Sequence, residues 1–425
     1  MCKASKPCVM AATVAGLLVV ILVIALPIAL QDDYSAYESL AGRPVPPEVA
    51  ALLKSSPLID GHNDLPHNLR LLTHNQLSAV DFRRNLRTDA VWNCSSCFTD
   101  IPRLRAGFVG AQFWVAYVDC KSQYEDAVEK TLEQIDVIKR FIKQYSKDLQ
   151  LVKTANGIEE SFRKGQIASL LCVEGGHSID SRLAVLRLYY ELGVRYMTLT
   201  HSCSTPWATA SPEDKEVLTV KGLTDFGKVV VQEMNRLGMM VDLSHVSHQT
   251  MLDALNVTKA PVIFSHSSAW AICNHHRNVH DDVLKLVAQN GGVVMVNFYT
   301  EFVQCNKTEP ATIDTVVDHI NHIRRVAGVD HVGIGADYDG VDDMPLGLED
   351  VASYPFIFER LMNPKPGEPT WNNTDLQKLA GRNLLRVLHK VEMVRDEMAK
   401  KGVKPYENLI PPSDLGNNTN CRSDG

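Results

Sequence analysis

The stretch Ala168-Ser169-Leu170-Leu171-Cys172-Val173-Glu174-Gly175-Gly176-His177 is an apolar run that stops abruptly at an acid, two glycines and an imidazole. A strand exposed on one face would alternate polar and apolar residues. Ala168 to Val173 hardly alternates, so it reads as a strand covered on both faces. An amphipathic stretch follows, Ser181 to Leu192, with apolar residues at three- and four-residue spacings, and then a second apolar run, Tyr196 to Thr200. The same unit recurs in both directions along the chain. The further runs are Leu58-Ile59-Asp60, Gly110 to Val115, Met239 to Leu243, Pro261 to Phe264, Val293 to Phe298 and Val332 to Gly335. Glu125 to Tyr145, Gly222 to Leu237 and Thr312 to Ala327 supply further helical patterns. About eight buried strands, most separated by helices, predict an α/β fold: a closed (β/α)8 TIM barrel. The alternative is a doubly wound open sheet, but no glycine-rich phosphate loop follows the first strand to support it.

In such a barrel the active site lies at the C-terminal ends of the strands. The residues that end the runs are therefore the ones to inspect. They are His62-Asn63-Asp64, Glu174 with His177, His201, His245, His266, and Asp337 with Asp339. Strand side chains alternate, so His62 and Asp64 are expected to point the same way and to chelate one cation. Imidazole and carboxylate are the ligand types of hydrolytic Zn²⁺. A single loop histidine is more often a surface or hydrogen-bonding residue than a ligand. That ordinary reading is kept for His67, His74, His248, His275, His276, His280 and His389, which do not fall directly at strand ends. Six strand ends bearing such residues point to a metal site.

Composition sets the compartment. Of 425 residues 45% are hydrophobic and 22% charged, enough for a large core, and the net charge of −7 lacks the basic excess that nucleic acid requires. Residues 9–30 carry no charge and are long enough to span a bilayer. Lys3 and Lys6 precede this stretch while Asp32 and Asp33 follow it, which places residues 1–8 in the cytosol and the rest outside. The expected protein is a single-pass cell-membrane protein, or a secreted one if the segment is a cleaved signal. Residues 31–48 read as a stalk, 49–405 as one catalytic domain and 406–425 as an extended tail. Five N-glycosylation sequons begin at Asn93, Asn256, Asn306, Asn372 and Asn417. Cys94-Ser95-Ser96-Cys97 has no second ligand pair to make a zinc site, so a local loop bridge is expected, and Cys172 should be a buried free thiol.

The motifs His62-Asn63-Asp64, Val173 to Ser178, Thr200-His201-Ser202, Ser244 to Ser247, Ser265 to Ser268 and Gly335 to Gly340 resemble, in identity and order, those of the membrane (renal) dipeptidases. The resemblance runs from about residue 50 to about residue 400. It implies two zinc ions per chain, His62 and Asp64 on one, His245 and His266 on the other, Glu174 bridging, and a metal-bridging hydroxide as nucleophile. It further implies Asp337 as acid–base carboxylate, His201 as ligand of the substrate carbonyl and Arg277 as a substrate-binding residue. From the residues alone Asp337 and Asp339 are equivalent choices, and a surface ion pair remains open for Arg277. The resemblance also implies disulfides Cys120–Cys203 and Cys273–Cys305, and a disulfide-linked homodimer through Cys421.

The function this implies is hydrolysis of dipeptides to free amino acids by an ectodomain. Cysteinylglycine, leukotriene D4 and dipeptides with a C-terminal D-residue are among the implied substrates. A cyclic amidohydrolase or deaminase would carry His-x-His on the first strand and a carboxylated lysine as bridge, where this chain has Asp64 and Glu174. The alternative from another class is a catalytically silent receptor or adhesion ectodomain, against which the complete ligand set speaks.

Overall fold

A computed structural model describes residues 37–215 and 222–416. The expected span 9–30, together with Asn417 and Cys421, lies outside the described residues. Among those described, no helix is long and apolar enough to cross a membrane.

Nine strands form the sheet: β1 Leu58–Asn63, β2 Val109–Tyr117, β3 Leu149–Leu151, β4 Ile167–Glu174, β5 Val194–Thr198, β6 Met240–Asp242, β7 Ile263–Phe264, β8 Val293–Val296 and β9 Val332–Ile334. All pairings are parallel, and because β1 pairs with both β2 and β9 while β2 pairs with β4, eight strands close into a ring. The open-sheet alternative is thereby excluded. Each of the eight expected runs is one of these strands. The ninth, β3, was not foreseen; it pairs only with the first residues of β4, Leu149 opposite Ile167, before β5 takes over at Leu171. The expected helices are Ala127–Gln144, Leu183–Leu192, Asp225–Leu237 and Ile313–Ala327.

Alternation along each strand divides the core into two layers. Phe113, Val115, Leu170, Cys172, Tyr196, Met240, Ile263 and Met295 form one, and Trp114, Leu171, Val173, Met197, Val241, Phe264, Val294 and Val296 belong to the other, against the helices. The helix Asn383–Lys400 packs across the strands' beginnings, with Asn383 donating to the Val329 and Val332 carbonyls at 2.7 and 2.9 Å. Continuing the first layer by two residues toward the strand ends leads to Glu174, Thr198, Asp242, Ser265 and Asn297, all buried. The barrel interior is thus apolar until its last layer, which is polar.

Candidate metal centre

β1 delivers His62 to the mouth of the barrel, and the chain then turns into the helix Leu65–Thr73 with Asp64 at its N-cap. Asp64 has left the strand, so alternation is not what aims it. An aspartate at this position normally accepts from the first helical amides. Here no side-chain cap bond forms, and the carboxylate turns back so that its Oδ2 lies 3.1 Å from His62 Nε2. Its Oδ1 is buried with no hydrogen-bond partner, and so is His62 Nε2. Glu174, the last residue of β4, places Oε1 3.0 Å from His245 Nε2, 3.4 Å from His266 Nε2 and 3.5 Å from His62 Nε2. The two ring nitrogens of His245 and His266 face each other at 2.9 Å.

The donors therefore form two triads, His62, Asp64 and Glu174, and Glu174, His245 and His266, with the donor atoms of each within 4.8 Å of one another. They share Glu174. A third grouping, His62, His266 and Asp337, overlaps both. Electrostatics gives the same picture as geometry. Burial disfavours the His62 cation, yet the carboxylates of Glu174, Asp64 and Asp337 reverse that and raise its pKa. Glu174 is itself pushed up, first by burial, with Asp64 and Asp337 adding to it. The carboxylates' part in both shifts has one origin: more negative charge than a buried pocket can stabilise without added cations. Unpaired buried donors converging in an anionic pocket fit divalent metal ions.

Asp337 follows β9 in a left-handed conformation, φ 70°, with its Oδ2 accepting from Asn297 Nδ2 at 2.8 Å and its Oδ1 3.8 Å from His62 Nε2. Burial raises its pKa. Asp339, φ 67°, turns the other way: its carboxylate accepts from Thr99 Oγ1 and from Asn68 Nδ2, the latter at 3.2 Å. Two residues apart, the aspartates are not equivalent. A Cβ on Gly340 would overlap the Asp64 carboxylate and stand 2.7 Å from Asp337 Oδ1, so only glycine lets this loop close over both. His201 lies beside His245, ring centroids 4.4 Å apart, and against Tyr117 at 4.8 Å. Burial, with the charges of His177 and Arg277, holds its pKa down at about 3. Arg277 is buried rather than in a surface ion pair. It donates to Ser267 Oγ and the His266 carbonyl at 3.4 and 3.2 Å, lies 5.3 Å from the Phe302 ring centroid, and leaves Nε without a partner.

Residues 47–402 match the family described as membrane dipeptidase, peptidase family M19. The chain belongs to that family. This makes it a metallo-dipeptidase, a hydrolase of peptide bonds. Among solved structures, a dipeptidase AC described as a metallo peptidase of the same family is 25% identical, with a TM-score of 0.67 over 79% of this chain and 98% of that one. The metallo peptidase from Rhodobacter sphaeroides liganded with a phosphinate mimic of the dipeptide L-Ala-D-Ala is 24% identical, TM-score 0.68, over 79% and 99%. The probable dipeptidase PvdM from Pseudomonas aeruginosa is 16% identical, TM-score 0.68, over 82% and 98%. The last two likenesses show a shared fold.

In this dipeptidase the residues behind the donors were not singled out by sequence. Tyr196, Asp242, Ser265 and Asn297 each bond to a candidate site residue or to its partner. Asp60 accepts from the Ala336 amide at 2.9 Å and from Gln112 at 2.8 Å, which fixes the backbone entering Asp337. Their positions, two residues past buried apolar ones of the same strand, were the available signal. Disulfides join Cys120 to Cys203, Cys273 to Cys305 and Cys94 to Cys97, and Cys172 is a buried free thiol. Cys120 Sγ lies 3.9 Å from His201 Nδ1, so the first of these bridges bears directly on that imidazole. Asn93, Asn256, Asn306 and Asn372 are exposed.

Proposed function

We propose that this dipeptidase uses two zinc ions, His62 and Asp64 holding one, His245 and His266 the other, and Glu174 both. The observation that carries the reading is the meeting of the two triads on Glu174 Oε1. When bound, such a pair supplies Lewis acidity and a water that ionises near neutral pH. The chain's own residues do the rest. Asp337, held on one oxygen by Asn297, keeps the other toward the cluster. Its raised pKa lets it hold a proton and deliver it to the departing amide nitrogen, a poor leaving group until protonated. His201 stays neutral, so it meets the scissile carbonyl as an uncharged imidazole. Arg277 brings a buried positive charge whose spare donor would pair with a dipeptide carboxylate.

Cysteinylglycine, leukotriene D4 and dipeptides with a C-terminal D-residue are the substrates proposed on the family resemblance. The proposal also includes an N-terminal anchor at 9–30, glycans on Asn93, Asn256, Asn306, Asn372 and Asn417, and a homodimer linked through Cys421. Exposure of the four described asparagines and the three disulfides support an oxidising compartment. The mechanistic test is turnover of a dipeptide panel by purified protein before and after chelation and after zinc is restored. Loss with recovery is expected, and full turnover by the metal-free protein overturns the reading.

A further inference from the structure

Each cluster has one imidazole whose far nitrogen meets a hydroxyl. His62 Nδ1 is 3.0 Å from Tyr196 Oη, and His266 Nδ1 is 2.8 Å from Ser265 Oγ. A hydroxyl has one proton to give. Tyr196 directs its own to the Gly61 carbonyl at 2.8 Å, and Ser265 directs its own to Asp242 Oδ2 at 2.6 Å. Neither the carbonyl nor the carboxylate has a proton to return. Both hydroxyls must therefore accept from the imidazoles, which keeps a proton on Nδ1, so that the neutral ring, the form a metal binds, turns its Nε2 lone pair toward Glu174 and the other donors.

The supports are themselves fixed. Tyr196 sits on β5 in the barrel interior, against Phe113 at 5.2 Å between ring centroids. Asp242 accepts from Thr198 Oγ1 at 2.6 Å and from the amides of Ser265 and Ser244 at 2.8 and 3.1 Å, so its carboxylate stays pinned when the serine changes. Tyr196 lies in β5 and Ser265 directly after β7, and they serve one imidazole from each of the two triads that meet on Glu174; the two rings lie 3.8 Å apart between centroids, but no direct hydrogen bond joins the two pairs. Without them either tautomer of each imidazole is available, and the one protonated on Nε2 presents a proton to the metal.

Resting on the reading of a metal pair given above, we propose that Tyr196 and Ser265 are positioning residues that lock the metal-binding tautomers of His62 and His266, one hydroxyl for each ion. Tyr196→Phe and Ser265→Ala remove the acceptors while leaving the packed volumes nearly intact. The measurement is zinc retained per chain after equilibration with graded chelator, with melting temperature of the metal-free protein as the check on folding. Partners behind metal ligands typically contribute about 10- to 100-fold in affinity. Each single variant should release one of its two ions at chelator activity lower by roughly that factor, and the double variant should release both. Ser265→Thr, which keeps the hydroxyl, should hold zinc like the parent chain.

Unchanged release in variants that remain folded would overturn the proposal. So would loss of only one ion from the double variant, because both hydroxyls would then act on one site. A lowered melting temperature with release curves identical to the parent would reduce both residues to packing and also overturn it. If the parent chain itself retains no metal, the reading beneath the proposal fails instead.

Discussion

Replacing Asp337 by asparagine should keep the fold and both metals while lowering kcat for dipeptides at least about a hundredfold, the lower end of general acid–base contributions. That is about 2.7 kcal/mol in barrel-mouth transition-state stabilisation, at 1.36 kcal/mol per tenfold. The structure makes asparagine the informative choice. Asp337 has φ 70°, a conformation that asparagine tolerates better than most residues, whereas alanine would add backbone strain. The carboxamide oxygen can still accept from Asn297 Nδ2, which leaves the amide nitrogen where Oδ1 stood, 3.8 Å from His62. Shape is kept and the transferable proton is lost. The paired variant is Asp339→Asn, whose carboxylate accepts from both Thr99 and Asn68. An amide there can keep its oxygen toward Asn68 and turn its nitrogen to Thr99 Oγ1, but the Thr99 proton then loses its acceptor, at a cost of about 1–3 kcal/mol in stability for a buried unmet group. Its catalytic loss should be smaller. Single-turnover rates, zinc content and melting temperature of both variants distinguish the outcomes. A larger catalytic loss from Asp339→Asn, with zinc and stability equal in both, would show that the proton carrier was assigned to the wrong aspartate. Loss of zinc from Asp337→Asn would place Asp337 among the metal ligands instead, as its grouping with His62 and His266 allows.

Glu174→Gln should abolish retention of two zinc ions, because one neutral amide oxygen cannot offset the charge that a shared carboxylate does; His389→Ala, at an exposed site with a 3.9 Å contact to Glu392, should change neither metal nor rate. Equal effects, measured by elemental analysis and turnover, would remove Glu174 from the centre. Gly340→Ala should cost activity and metal together, since the added methyl meets the Asp64 and Asp337 carboxylates; parent-like zinc retention and kcat would show that the loop shifts freely. In intact cells, glycosidase-sensitive mass should map to the four exposed asparagines and to Asn417, with residues 9–30 retained in the mature chain; an unglycosylated, protease-shielded domain would refute the orientation.

The barrel was legible because its strands are buried on both faces, which turns each into an apolar run with ionisable residues at its end. β3 escaped notice because three residues paired at one strand's beginning carry no such pattern, and Gln150 in its middle is exposed. The donors were legible for the same reason as the strands. What aims them was less so. Asp64 converges with His62 through a forgone helix cap rather than through strand alternation. Asp337 and Asp339, both at positive φ, diverge where a strand would have kept them together. The hydroxyls behind the imidazoles are single Tyr and Ser residues within apolar strands or at their ends; the pairing of β6 with β7 brings Ser265 to Asp242, and the closed ring brings Tyr196 to Gly61.

Whether two metals share Glu174 is decided by anomalous scattering at the zinc edge from crystals of the zinc-loaded protein. Two peaks about 3.5–4 Å apart are predicted, with Glu174 between them, His62 and Asp64 on one side and His245 and His266 on the other. A single peak, or two peaks of which only one touches Glu174, would contradict that sharing.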